Sequence, residues 1–283
     1  MITDQKNKSI LFKELHYSKE ILMLPNIWDP LGALLLEDIG FPAVATASAS
    51  VAYANGYNDG ENISFDDLIR LLANITNRVA VPVSADIESG YARDLNQLEE
   101  NIYMLIEAGV AGINIEDTDA KTDLLLPANK QCEKIAIIRK AAGNMNAPLF
   151  INARTDVFIG DTFTGTGEEK LKEAITRGKA YKDAGADGFY PILLNDENAI
   201  KEIIETVSLP ANIMMMPGIP GLATLQQIGV KRISLGPGFL KIGIRAMKDI
   251  ASRLRKGDGV EEVTSNEITS GYLKKLVSKS PNN

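Results

Sequence analysis

The sequence predicts a (β/α)8 barrel of the TIM type, and three observations carry that prediction. Short apolar runs alternate with longer amphipathic segments along the chain, and there are eight such runs. No Pro/Ser-rich linker interrupts the 283 residues, so residues 1–283 read as a single domain of this type. A doubly wound open sheet is the other architecture that fits the alternation.

In chain order the expected strands are residues 21–24, 43–46, 81–86, 112–116, 149–152, 188–190, 212–215 and 232–235. Each has an apolar centre, as strands buried on both faces of a parallel sheet require. Helical patterns lie between them at 65–77, 95–108, 132–142, 168–184 and 199–207, with a further one around 272–277. Gly109, Gly185 and Gly229 each stand just before a strand, where a left-handed residue ends a helix. Ser64, three positions before Asp67, is placed to cap free amides at a helix start. The stretches 55–62, 117–130 and 160–167 read as loops, and the second follows a strand, where barrel enzymes carry mobile lids.

Composition narrows the function. Hydrophobic residues make up 45% and charged residues 24%, with a net charge of −7 and no basic stripe, which argues against a nucleic-acid partner. Cys132 is the one cysteine, which fits a reducing compartment and excludes an internal disulfide. Residues 1–8 lack the apolar core of a signal peptide, and no apolar run approaches the roughly 20 residues of a membrane span. The expectation is a cytoplasmic protein without a membrane partner.

Reactive groups of such barrels project from the C-terminal ends of the strands. Those ends carry Asp86 and Glu88, then Glu116 and Asp117, then Arg154 and Asp156, while Asn212 lies on the seventh strand. Neighbouring strands should bring Asp86, Glu88 and Glu116 together. Their mutual repulsion favours a cation, and oxygen-only ligands suit Mg2+ or Mn2+. The alternative is that each acid caps a helix or pairs with a surface lysine. Arg154 offers a fork matched to a substrate carboxylate, or a structural bridge to Asp156 or Glu116, or both. Thr46, Ala47 and Ser48 are small residues whose backbone can approach carboxylate oxygens. His16 and Cys132 lack partners for nucleophilic catalysis, and no strand-interior lysine supports Schiff-base chemistry. Met214-Met215-Met216 reads as core packing, and the turns at 217–221 and 236–238 read as tight helix entries.

The phrases Ser84-Ala85-Asp86-Ile87-Glu88-Ser89-Gly90-Tyr91, Asn114-Ile115-Glu116-Asp117 and Ala153-Arg154-Thr155-Asp156 resemble the isocitrate lyase / phosphoenolpyruvate mutase superfamily. So do Leu24-Pro25-Asn26-Ile27-Trp28-Asp29 and Gly56-Tyr57-Asn58-Asp59. The resemblance implies an α/β barrel with extra terminal helices, the C-terminal one often exchanged between subunits of a homodimer or homotetramer. It implies a Mg2+ site in which Asp86 binds the ion while Asp59, Glu88 and Glu116 hold its waters. Thr46, Ala47, Ser48, Arg154 and Asn212 become substrate contacts, and Asp59, Glu116 and Arg154 the catalytic group. Four departures stand out. Glu88 replaces the aspartate of many members. Residues 118–127 lack the Lys-Lys/Arg-Cys-Gly-His motif of the lyases, and Ile192 follows Tyr190-Pro191 where the lyases place a glutamate. The mutases' asparagine-rich gating loop is not evident either. The implied activity is a Mg2+-dependent carbon–carbon lyase or decarboxylase on a small 2-oxo or 2-hydroxy acid, working through a pyruvate-like enolate. The alternatives are P–C bond chemistry, as in the mutases and phosphonopyruvate hydrolase, or a non-catalytic dicarboxylate binder.

Overall fold

Strand and helix alternate through the computed structural model, which describes residues 2–278. After α1 (Ile2–Leu15) come β1 (Leu22–Leu24), β2 (Asn26–Ile27), α2 (Pro30–Ile39), β3 (Val44–Thr46) and α3 (Ser48–Ala54). Next are α4 (Phe65–Thr76), β4 (Val83–Asp86), α5 (Leu95–Glu107), β5 (Gly112–Glu116), α6 (Ala128–Asn144) and β6 (Phe150–Thr155). The chain continues through α7 (Gly167–Asp183), β7 (Gly188–Pro191), α8 (Glu197–Val207), β8 (Asn212–Met214), α9 (Leu222–Gln227) and β9 (Arg232–Ser234). Three helices finish it: α10 (Gly238–Leu254), α11 (Val260–Thr264) and α12 (Ser270–Ser278).

Every strand pair is parallel, in the orders β2-β3-β4-β5-β6-β7 and β1-β9-β8. The two groups join into one ring at two points. Pro25, which has no N–H to give a ladder, separates β1 from β2, so one extended segment pairs with β9 on one side and β3 on the other. A parallel bridge from Phe189 to Ala211 links β7 to β8. All eight expected strands are present, the first continued beyond its expected end as β2 and the fifth extended to Thr155, so that Arg154 lies within its strand.

Alternation along the strands sends Ile113, Ile115, Ile151, Ala153, Phe189, Ile213 and Ile233 outward into the helix ring, the main apolar core. The opposite set faces the barrel interior. Phe12 of α1 plugs the bottom among Leu22, Leu24, Ala45 and Phe150, and His16 stacks on the Phe150 ring at 3.9 Å. Gly112 makes room for this plug, since a Cβ there would sit 2.6 Å from Phe12 Cε1. Gly109, Gly185 and Gly229 have φ of +86°, +110° and +98°, as expected of helix ends. The Ser64 hydroxyl accepts the Asp67 N–H at 3.1 Å, the expected cap.

The small residues after β3 continue into α3. One reading is corrected. The methionine run is not core: Met215 is 37% exposed and Met214 and Met216 are half-buried, because β8 ends at Met214 and the chain leaves the sheet. α12 packs on α2 of its own chain, with Leu276 buried and Tyr272 Oη 3.5 Å from Asp38 Oδ2. Among the described residues no helix is long and apolar enough to cross a membrane.

Candidate active site

The mouth forms where β4, β5, β6 and β7 end side by side. Register sets Asp86 opposite Asn114, Glu116 opposite Arg154, and Arg154 opposite Tyr190. Asp86 is fixed from β3: its own N–H donates to Thr46 Oγ1 at 3.0 Å, and its Oδ2 accepts the Ser48 N–H at 3.3 Å. The expected trio Thr46, Ala47 and Ser48 therefore lies against Asp86, with Thr46 and Ala47 buried and Ser48 half-buried.

Glu88 takes a left-handed backbone, φ +49°, an unusual conformation for a residue with a side chain. Its Oε2 accepts the Glu61 N–H at 2.8 Å and its Oε1 accepts the Tyr91 hydroxyl at 2.7 Å. Glu61 Oε1 in turn accepts from Ser89 Oγ and from the Tyr91 N–H, at 2.6 and 2.8 Å. Glu61 and Tyr91 also have positive φ, +56° and +54°. Three strained residues holding one another at a cleft form a pattern found at working sites. Sequence reading missed Glu61 and Tyr91, although Tyr91 stands three positions from Glu88.

Arg154 joins the acids of two strands. Its Nη1 lies 2.7 Å from Glu116 Oε2, while Nε and Nη2 grip Asp156 at 2.6 and 3.1 Å. Asp156 also accepts the Thr118 hydroxyl at 2.8 Å, tying down the start of the 117–127 loop. Asp117, by contrast, turns away from the mouth. It is fully buried and accepts from Thr155 Oγ1, the Asp156 N–H, Arg177 and Tyr181 at 2.7 to 3.0 Å, a set that makes it structural.

Burial and the charges of their neighbours act on all of these acids. Burial raises the Asp86 carboxyl above the usual carboxylate range; Arg154 opposes the rise and Asp59 adds to it. Burial pushes Glu88 up to about 7, with the charges of Asp59 and Asp86 contributing and the Tyr91 hydrogen bond opposing. Burial also raises Glu116, held back by Arg154 and driven further by Asp156, Asp86 and Glu88. Arg154 thus contacts Glu116, and Asp86, Glu88 and the exposed Asp59 of the 55–62 loop act on this group through charge; among the described residues no three acids form a ready-made metal cluster. The donors are all oxygens and their charges are costly to bury, which matches the donor chemistry of a hard divalent cation. Asn212 does not share the rim. It opens β8, one step below, opposite Arg232 of β9. Arg232 was not singled out from the sequence, and its guanidinium adds a second positive charge inside the barrel, below Arg154.

The chain is similar to several known proteins. The family model described as phosphoenolpyruvate phosphomutase matches residues 12–255. An uncharacterized protein of Mycobacterium tuberculosis is 32% identical over 247 residues, covering 87% of this chain and 90% of its own. An oxaloacetate decarboxylase of Pseudomonas entomophila is 28% identical, covering 87% and 84%. A solved structure from Burkholderia cenocepacia J2315, provisionally described as a phosphonomutase, is 36% identical with a TM-score of 0.82, covering 90% of this chain and 100% of that one.

Proposed function

This chain belongs to the phosphoenolpyruvate phosphomutase family, within the isocitrate lyase / phosphoenolpyruvate mutase superfamily, and we propose that its mouth breaks the bond from C3 of a small 2-oxo acid to its substituent. The observation that carries the proposal is the Asp86–Glu116–Arg154 constellation at adjoining strand ends. The electron pair of the broken bond passes to the C2 oxygen, giving a pyruvate-type enolate. Arg154, held by Glu116 and Asp156, faces that developing negative charge with a preset donor array. Amides after β3 receive the C1 carboxylate beside Thr46, Ala47 and Ser48. Asp86, Glu88 and Glu116, with Asp59, would hold Mg2+ or Mn2+. Such an ion, when bound, supplies Lewis-acid polarisation of the 2-oxo group.

Two bonds give the same enolate. P–C cleavage comes first: the matching family model is that of the phosphomutase, and the 36% identical structure is provisionally a phosphonomutase. There the phosphoryl group passes to the C2 oxygen or to water. C–C cleavage, with CO2 leaving oxaloacetate and the enolate taking a proton, is favoured by the relatives named oxaloacetate decarboxylase. Phosphorus NMR on phosphonopyruvate, run beside a pyruvate assay on oxaloacetate with Mg2+ and again with EDTA, decides between them. One substrate is turned over, and only with the cation. Turnover undiminished by EDTA, or none of either substrate, overturns the reading.

A further inference from the structure

Arg232 is the largest fully buried side chain of the described residues, 1% exposed, and it lies inside the barrel. Its Nη2 donates to Asn114 Oδ1 at 3.1 Å. Arg232 starts on β9 and Asn114 belongs to β5, four strands away around an eight-membered ring. The side chain thus crosses the interior beneath the mouth and forms its floor. Asn114 Oδ1 also accepts the Asn152 amide N–H at 2.9 Å, and as a neutral amide oxygen it brings no counter-charge to the guanidinium.

The remaining donors of this arginine are idle. Nε and Nη1 of Arg232, and both amide atoms of the neighbouring Asn212, find no hydrogen-bond partner among the described residues. No carboxylate of the described residues pairs with Arg232; Asp86 and Tyr190 act on it only through space. A buried charge with no counter-ion is among the most expensive features a fold can carry. Asn212 sits directly across the ladder from Arg232 and is 1% exposed, so the two present donors to one spot.

We propose that Arg232 and Asn212 form an anion subsite under the mouth that takes the second anionic group, carboxylate or phosphonate, borne on C3 of the substrate. The proposal rests on the reading given under Proposed function. It makes the substrate a dianion anchored at both ends: the C1 carboxylate at the rim, the second group on the guanidinium floor. It also assigns the leaving group a place. The group that departs from C3 is the one Arg232 holds: a phosphoryl group keeps its negative oxygens on that guanidinium as the P–C bond breaks, whereas a carboxylate leaves as neutral CO2 and its electron pair passes to the enolate.

The test compares ligand binding by the full chain in Mg2+ buffer, using 2-oxobutyrate, oxaloacetate and phosphonopyruvate. The wild type binds one of the two dianions about thirtyfold or more tighter than 2-oxobutyrate, and which one identifies the second group. Arg232→Met erases that preference while 2-oxobutyrate binding stays within about twofold. Asn212→Asp places a carboxylate beside Arg232; it erases the preference too, yet raises the unfolding temperature, a readout that stands even where Arg232→Met fails to fold. Equal wild-type binding of all three ligands, a preference that survives either substitution, or a lower unfolding temperature for Asn212→Asp overturns the subsite and leaves the enolate reading intact. Binding of none of the three defeats that reading itself, and the subsite with it.

Discussion

Arg154 spends three of its nitrogens on two carboxylates, Glu116 and Asp156, and this fixes the plane of its guanidinium before any ligand arrives. Of the two roles the sequence leaves open for it, the structural bridges to Asp156 and Glu116 are both present. Asp156 is the stronger hold, since it is buried and grips two nitrogens. Asp156→Asn removes a charge-assisted fork worth about 1.5–3 kcal/mol. With the reactive substrate identified, kcat/KM of this variant is expected to fall about tenfold to a hundredfold while its circular dichroism is unchanged. A variant with wild-type kcat/KM would show that the fork does not position Arg154. Asp86, Glu116 and Arg154 were legible because each ends an apolar run, where a charge has no other business. Arg232 was not, because it begins its run and looked like a strand boundary. The signal was there in the period of two: Ile233 faces the helices, so Arg232 and Ser234 face inward.

At the scale of elements, strands read better than helices. Gly112–Glu116 agrees end to end, because Ile113 and Ile115 alternate with Gly112, Asn114 and Glu116 in the period of two that marks a strand. α6 begins four residues before the expected 132, since residues 128–131 carry no apolar period and Pro127 offers no side-chain cap. α3 was missed for the same reason: its seven residues follow Ala47, which offers no side-chain cap, and are too few to show an apolar stripe. Helix α1 shows what the plug demands chemically. The His16 ring, stacked on Phe150 with Nδ1 2.7 Å from the Phe12 carbonyl, has its pKa lowered from 6.5 to about 3 by burial, then by the Arg232 charge, against the pull of that carbonyl. The folded state therefore binds this proton less readily than the unfolded chain. The stability this confers is complete above pH 6.5 and drains away as pH falls toward 3. Denaturant midpoints measured across that range should decline toward acid, and His16→Phe should flatten the decline. An unchanged slope would remove His16 from the acid response.

The eightfold alternation of the whole molecule was legible from patterning alone, whereas the closure at Pro25 and at the Phe189–Ala211 bridge depends on pairings across the ring that no local signal carries. The barrel places its polar interior at one end, with acids and Arg154 at the rim and Arg232 below, and gives the other end to Phe12, Leu24 and Phe150. Around this, α10 shows Ile242, Ile244 and Met247 on its surface, each 50% exposed or more. The net charge of −7 works against an anionic ligand at long range, so the two arginines must act locally and in place. The claim common to both bond types is that the mouth stabilises a pyruvate enolate. Proton NMR of pyruvate in D2O with the protein and Mg2+ addresses it without knowledge of the leaving group. The methyl signal should fade as C3 protons exchange, and the fading should stop with Asp86→Asn or Arg154→Met. A methyl signal that persists at the protein-free rate, in a sample where pyruvate binds, would contradict the account.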